Sequence, residues 1–462
     1  MIDTDKKKRT FLDKSDKKAH DLKHKQVINF NIDKYNAAVR NGKHQYRDLE
    51  SARKYAKNIK WNAIENLEKN LNAFEKNFTL RGGKVLWAQN TREALEHILD
   101  ICESKKAATV VKSKSMVTEE LHLNDFLQKH KIASIETDLG EYIQQLDEEP
   151  PYHIVTPAMH KSKEDIADLF HRKLGTVPGL SPSELTLIAR EKLRKKYSEA
   201  EIGITGANFL VADIGGICIT ENEGNGRLTT TLPKTHIAIV GIEKVIPSMD
   251  DLALYWPLLA TFGTGQQVTV YNTILSGPKQ RGENDGPEEM YVILLDNGRT
   301  NLLKKEVRQS MYCIRCGSCL NACPVYKNIG GHTYDTTYSG PIGSVITPHL
   351  KSMQEYGHLS FASSLCGNCT EVCPVNIQLH ELLLKNRELY NEQGNGLLRE
   401  RFAWKIFRSA MKHRFSFSMA TPMMKNYAFK KFFSPLWGDR REGITFPKQS
   451  FRQLWKNEQK NK

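Results

Sequence analysis

Seven of the nine cysteines crowd into two short runs. Residues 313–324 read Cys-Ile-Arg-Cys-Gly-Ser-Cys-Leu-Asn-Ala-Cys-Pro, and residues 366–374 read Cys-Gly-Asn-Cys-Thr-Glu-Val-Cys-Pro. The first is the C-x2-C-x2-C-x3-C-P run that binds cubane iron–sulfur clusters. The second is the same run with Ser363 standing where its first cysteine belongs. Three cysteines at intervals of three reach three corners of one cluster, while the cysteine before proline ligates the other cluster. Cys313, Cys316, Cys319 and Cys373 therefore form the expected ligand set of a first [4Fe-4S] cluster. Cys323, Cys366 and Cys369 supply three ligands to a second. Its fourth ligand is left open among the Ser363 oxygen, a water, a residue of a partner and a [3Fe-4S] centre, and an open iron corner is also where a substrate can bind.

Zinc also takes C-x2-C pairs, but it asks for four ligands in two pairs and gives the Cys-Pro endings no role. Disulfides fit poorly, because no signal-peptide pattern is present and the expected compartment is the reducing cytoplasm. Cys102 and Cys218 lie in apolar helical and strand-like contexts and read as buried free thiols.

A chain of 462 residues should hold two or three domains. With 39% hydrophobic residues and a mean hydropathy of −0.51, it has enough apolar residues for a core. No window of 18 uncharged apolar residues occurs, so no membrane-spanning helix is expected. Charge is uneven. Residues 401–462 carry 15 Lys/Arg against 3 Asp/Glu, a surplus of +12 out of +14, which leaves +2 for the other 400 residues. This tail is also aromatic, with Phe402, Trp404, Trp437, Phe451 and Trp455 among its residues. Basic residues interleaved with aromatics suit a partner subunit or peripheral contact with an anionic membrane. A helix that packs its aromatics on the body and solvates its lysines is the plainer reading. No nucleic-acid motif accompanies the charge, so nucleic acid is not an expected partner.

The elements that must position the cysteines follow from periodicity. Residues 1–30 are rich in Lys and Asp and read as a loosely packed arm, and 32–78 has helical periodicity. From about 80 to 300, short β-rich runs alternate with amphipathic helices. The runs are Val85–Trp87, Thr109–Val111, His153–Val155, Gly216–Thr220, His236–Val240, Val268–Tyr271 and Tyr291–Leu295; the helices include 91–104, 163–174, 183–197 and 250–262. Ser162 with Asp165, and Ser183 before an apolar run, read as helix N-caps. The alternation predicts an α/β domain with helices covering a largely parallel sheet. Forty-two residues separate Cys323 from Cys366, and segments such as 348–356 look helical, so a helical two-cluster domain is expected.

Three further features can do chemistry. Gly203–Gly216 and the following Glu221-Asn-Glu-Gly-Asn-Gly-Arg combine glycines with polar residues at strand ends, as a small-molecule pocket at a sheet's carboxyl edge would. Gly206, Asn208, Gly215, Gly216 and Glu221 are its candidate residues, and ordinary glycine-rich turns are the competing reading. The segment is neither G-x-G-x-x-G nor a P-loop. Lys112-Ser-Lys-Ser115 follows a strand and can hold a carboxylate or phosphate, or be a solvated basic turn. Glu221 and Glu223 are candidate acid/base groups or surface carboxylates. His153, His160 and His236 show no metal-ligand spacing and read as structural or exposed. No catalytic residue is legible.

Taken together, the chain resembles the LutB (YkgF-like) iron–sulfur protein family of bacterial L-lactate utilisation. Besides the cysteine runs, the resemblance rests on Val111-Lys-Ser-Lys-Ser-Met, Gly203-Ile-Thr-Gly-Ala-Asn, Leu295-Asp-Asn-Gly-Arg and Tyr338-Ser-Gly-Pro-Ile-Gly, and it covers roughly residues 60–460. It implies a LUD-type α/β domain similar to the sugar-isomerase and CoA-transferase fold, then an α-helical two-cluster ferredoxin-like domain and a basic helical C-terminal region. The expected division is 1–78, 79–302, 303–385 and 386–462. It also implies a family pattern with three cysteines on the second cluster, and an electron-transfer subunit of a multi-component complex that oxidises L-lactate to pyruvate. The rivals are a subunit of a glycolate- or heterodisulfide-type oxidoreductase, and a ligand or redox sensor. The electron acceptor is not identified.

Overall fold

Among the described residues, ten strands build two sheets. They are β1 (Lys84–Ala88), β2 (Thr109–Lys112), β3 (Ala133–Glu136), β4 (Ile202–Thr205), β5 (Phe209–Val211), β6 (Gly216–Glu221), β7 (Thr235–Gly241), β8 (Val245–Ile246), β9 (Tyr271–Leu275) and β10 (Glu289–Leu295). In this computed structural model, residues 4–395, 398–413, 415, 421–433 and 442–460 are described. The larger sheet has six strands in the order β1-β10-β7-β4-β2-β3, and every pairing is parallel. Parallel strands covered on both faces need apolar side chains on both, which explains the unbroken run in β7, where every residue is buried. The smaller sheet, β8-β5-β6-β9, pairs β5 with β6 and β6 with β9 antiparallel.

Local signals set the covering helices. Thr91–Ser104 starts at Asn90, whose side chain accepts the Glu93 N–H. Ser162 and Asp165 form a reciprocal capping box, and that helix ends at Gly175 with φ 69°. The next helix begins at Pro182 and is capped by Ser181 with Glu184, not by Ser183. Proline's fixed φ and missing N–H suit the first helical position, so the cap lies before it.

The alternation expected between 80 and 300 appears, with local corrections. His153–Val155 is bent chain rather than a strand, because the His153 Nδ1 accepts the Val155 N–H and turns the backbone. The strand expected at Val268–Tyr271 runs over Tyr271–Leu275, after the Thr269 and Asn272 side chains bond each other across a turn. Pro348 ends the helix Gly340–Leu350, and a separate short helix, Met353–Tyr356, follows.

The largest correction is at the N-terminus. Residues 4–42 are two helices, Thr4–His20 and Leu22–Gly42, not a loose arm. Phe11 buries itself against Tyr334 and His358, and Lys7 and Lys14 both bind Asp335 at 2.8 Å. Composition misled here because the lysines coat one side of helices held by a few apolar anchors.

One hydrophobic core runs from Ile28 and Phe74 through Phe209 and Leu258 of the α/β part to Cys316, Cys373 and Leu383. Residues 1–392 accordingly form one compact unit, and 393–462 a second. Within the second, Leu398–Lys412, Pro422–Ala428 and Phe451–Lys460 are α-helical. Phe402, Trp404, Phe451 and Trp455 are exposed, and Trp437 lies outside the described residues. No described helix is long and apolar enough to cross a membrane.

Candidate metal centre

The two cysteine loops repeat one backbone design. In the first, Arg315 (φ 63°) precedes Cys316 and Gly317 (φ 80°) follows it; in the second, Leu365 (φ 56°) precedes Cys366 and Gly367 (φ 84°) follows it. Left-handed residues on either side of a cysteine coil the chain so that successive thiols point inward. A non-glycine residue there costs about 1–2 kcal/mol, so both loops hold strain at matching positions. At Gly317 a β-carbon would also lie 3.0 Å from the side chains of His153 and Val155, a tight contact added to the strain of its left-handed backbone. Each loop then enters a short helix, Ser318–Ala322 or Asn368–Glu371, and the Cys-Pro pairs 323–324 and 373–374 end the runs.

Cys313, Cys316, Cys319 and Cys373 line one cavity, walled otherwise by apolar residues such as Ile314, Ile342, Val375 and Ile377. Three thiols thus come from the first run and one from the end of the second. Burial, with neighbouring thiols adding, pushes Cys316 up to about 11 and Cys373 up to about 12. The three buried thiols, Cys316, Cys319 and Cys373, are all pushed up, so they give up their protons readily only to a cation that replaces them. A soft donor set with that need fits an iron–sulfur cluster.

Cys323, Cys366 and Cys369 form the second group. Burial raises the Cys369 thiol to about 11, with Cys323 and Cys366 the neighbouring thiols that add to it. Cys366 is exposed, whereas Cys323 and Cys369 are buried. Ser363 sits where the loop pattern places a first ligand: its Oγ accepts the Leu365 N–H at 3.1 Å, as the Cys313 Sγ accepts the Arg315 N–H at 3.4 Å.

Surrounding residues lock the loops. The Arg53 guanidinium donates twice to the Cys373 carbonyl, at 3.0 and 2.8 Å, and once to that of Glu371 at 2.7 Å. Arg315 lies over the Tyr338 ring at 4.4 Å and reaches Glu243 Oε1 at 3.5 Å. Glu243 also accepts from Arg299 Nε at 2.6 Å, and Arg299 holds Glu120 at 3.0 and 2.8 Å. Tyr338 donates to the same Glu120 at 2.6 Å. This chain of charges joins the α/β part to the cysteine part. Burial alone would raise Glu243; Arg299, Arg315 and Lys244 overcome it and hold the carboxyl at about 2.

Beside the cysteine cavity lies a larger one, of about 360 Å³, at the carboxyl edge of β2, β4 and β7. Gly206, Asn208 and Glu221 line it; Gly206 is required, since a β-carbon there would meet Ser115 Oγ at 2.5 Å. Gly215 and Gly216 do not line it. The first packs against the backbone of Phe78 and the second against Ile214 and Ile274. Lys112 is also removed from any anion site, because it is buried against Glu119 at 3.0 Å and Glu136 at 2.8 Å. Ser113, Lys114 and Ser115 do line the cavity.

The two candidate acid/base groups part company. Both Glu221 oxygens are occupied by the Gly226 and Arg227 N–H groups, a structural cap. Among the described residues Glu223 accepts only from Leu139, and its carboxyl is raised to about 7 by burial and by Asp138. Reading the sequence missed Lys244, Arg315 and Cys316 as walls of this cavity, because they arrive from a different segment of chain.

The remaining candidates are structural. His236 is buried on Thr205 at 2.8 Å, and burial lowers it to about 3. His153 is likewise held down to about 3 by burial. Cys102 and Cys218 are buried free thiols raised to about 12 by burial. His160 gathers with Glu149 and His332, a grouping that sequence spacing cannot show. Lys161 sits 2.9 Å from the same Glu149 oxygen that His160 meets and neutralises it.

The chain matches the LUD domain family over residues 71–295 and the 4Fe-4S dicluster domain family over residues 309–377. It is 44% identical over 422 residues to proteins named lactate utilization protein B from Bacillus thuringiensis (strain Al Hakam), Bacillus cereus (strain AH187) and Bacillus anthracis (strain A0248). Each alignment covers 89% of this chain and 89% of the relative. Among solved structures, a DUF162 family protein from Deinococcus radiodurans matches with a TM-score of 0.29 and 13% identity, covering 50% of this chain and 98% of that one.

Proposed function

The chain belongs to the lactate utilization protein B family, and from that premise we propose that it is the iron–sulfur electron-transfer subunit of a multi-component complex that oxidises L-lactate to pyruvate. The single observation that carries the reading is the cavity shared by Cys313, Cys316, Cys319 and Cys373. These four are assigned to a first [4Fe-4S] cluster, and Cys323, Cys366 and Cys369 to a second. Ser363 is assigned as the oxygen ligand at the second cluster's open corner; the Leu365 N–H bond to its Oγ, matching the bond made by Cys313, supports that place. Bound there, the clusters supply one-electron transfer, which lets the two electrons of a 2-hydroxy acid leave singly.

The protein's own residues do the rest. The apolar wall of the first cavity keeps water off the cluster, and Arg315 offsets its negative charge. Arg53 fixes the Cys373 carbonyl. The exposed Cys366 marks the second cluster as the one that faces outward to a partner. The exposed basic and aromatic tail is assigned to docking a partner subunit. We retain the division at 1–78, 79–302, 303–385 and 386–462, the kinship of the α/β domain with sugar-isomerase and CoA-transferase folds, and a cytoplasmic location. The all-parallel sheet supports the second of these.

The test is anaerobic reconstitution followed by iron and sulfide analysis, EPR, and mixing with the partner subunits and L-lactate. Two clusters are expected, and their visible absorbance should bleach with lactate only in the assembled complex. Cys373→Ser should remove one EPR signal and Cys323→Ser the other. A protein that takes up no iron, or one in which both substitutions silence the same signal, overturns the reading; bleaching by glycolate and not lactate transfers it to the glycolate class.

A further inference from the structure

The larger cavity is built as a receptor for an anion. Lys244 follows β7 and is buried; among the described residues its ammonium has no hydrogen bond and no ion pair within 4 Å, and the charge of Glu243 is what favours its charged form. Nη1 of Arg315, also on the cavity wall, is buried and without a partner. A buried donor left without an acceptor is a standing cost that a bound acceptor would remove. The cysteine cavity does not account for both, because Arg315 lines the two cavities whereas Lys244 lines only the larger one. Its size of about 360 Å³ falls within the usual span of ligand sites, about 300–1,000 Å³.

We propose that this chain carries its own site for a small carboxylate, seated between Lys244 Nζ and Arg315 Nη1 and beside the Cys316 loop. The other charges in the wall select this class. Asp138, Glu221, Glu223 and Glu243 also face the space, so a dianion such as phosphate meets repulsion that a monoanion avoids. A planar carboxylate also matches the guanidinium fork. At the far side, Asp138 and Glu223 accept hydrogen bonds, which favours a ligand with a hydroxyl or amide donor besides its carboxylate. Binding rests on the cavity alone; only the neighbourhood of the first cluster rests on the reading above.

The test uses the full chain, reconstituted anaerobically, with oxamate as a redox-inert carboxylate and inorganic phosphate as the comparator. Calorimetry should show oxamate binding and no phosphate binding. Lys244→Met should weaken oxamate about tenfold or more, as loss of one charge-assisted hydrogen bond does, and Lys244→Arg should restore most of it. Oxamate should shift the EPR spectrum of the cluster that Cys373→Ser abolishes and leave the other unchanged. Iron content, measured on each sample, separates the two readings. Clusters present without oxamate binding, unchanged binding in a fully loaded Lys244→Met protein, or preference for phosphate each overturns the site and leaves the electron-transfer reading standing. Absence of clusters overturns the latter instead.

Discussion

Replacing Arg299 by methionine should cost more stability than any other single change in the α/β part. Its side chain is 2% exposed and holds two carboxylates, Glu120 and Glu243, each 4% exposed. The substitution keeps most of the volume but removes the three bonds to those carboxylates and a fourth to the Asp296 carbonyl at 3.0 Å. Breaking a buried pair from one side costs about 3–5 kcal/mol. The titration of Glu243 gives the same scale. Its carboxyl is held at about 2 against an ordinary 4.5, which amounts to roughly 3 kcal/mol at neutral pH, shared among Arg299, Arg315 and Lys244. The sign follows from the depressed value: the stabilisation is complete above the unfolded-state value and is lost only as pH falls toward about 2. In Arg299→Met the stranded, buried Glu120 loses the cation that held its carboxyl down, so the deficit should be at least as large at pH 8 as at pH 6. Anaerobic urea unfolding measures it; with a slope of about 3 kcal/mol/M, the midpoint should fall by about 1 M or more. Adding Glu120→Gln should recover part of the loss, since one stranded charge disappears. A midpoint drop under about 0.3 M, or a deficit larger at pH 6 than at pH 8, would refute the reasoning.

Three further outcomes follow from other sites. Phe11→Ala should loosen the helix Thr4–His20 by about 3 kcal/mol, because the exposed Lys7 and Lys14 pairs with Asp335 are worth about 1 kcal/mol or less each; limited proteolysis should cut there, and an unchanged pattern would sink the claim. Ser363→Cys should slow the loss of iron from the second cluster in air, read by EPR, and an unaltered rate would remove Ser363 from the ligand position. Glu223 has its carboxyl raised to about 7, so its ionisation works against the fold as pH rises through that value. Glu223→Gln should stabilise more at pH 8 than at pH 6, by less than about 1 kcal/mol given its exposure; an equal gain at both would refute the assignment.

What could be read in the chain were features with a local signature. The cysteine spacing placed four thiols that the fold does bring to one cavity. The apolar runs of β7 and β10 announced a buried parallel sheet. Features made by distant segments were illegible. Arg315 gives no sign in the sequence of its left-handed backbone or of its reach to Glu243, seventy-odd residues upstream. Lys244 looks like an ordinary lysine after a strand until the Cys316 loop closes over it. Gly215 and Gly216 failed as pocket residues because glycine signals close backbone approach, here to helix and core, as readily as to a ligand. Residues 1–30 failed because composition averages over faces, and a few buried residues, Phe11 and Ile28 among them, do the anchoring.

The fourth thiol of the first cavity, Cys373, lies about fifty residues beyond the third, Cys319. A ribosome adding about 5–20 residues per second needs several seconds to cover that stretch. Throughout that interval the nascent chain presents a half-built site whose three thiols have no closing partner. Whatever delivers iron to this protein must wait for the later run or hold the earlier one, so cofactor maturation is tied to completed translation. A truncation before residue 363 would then yield a chain with every residue of its α/β region and no means of finishing either centre.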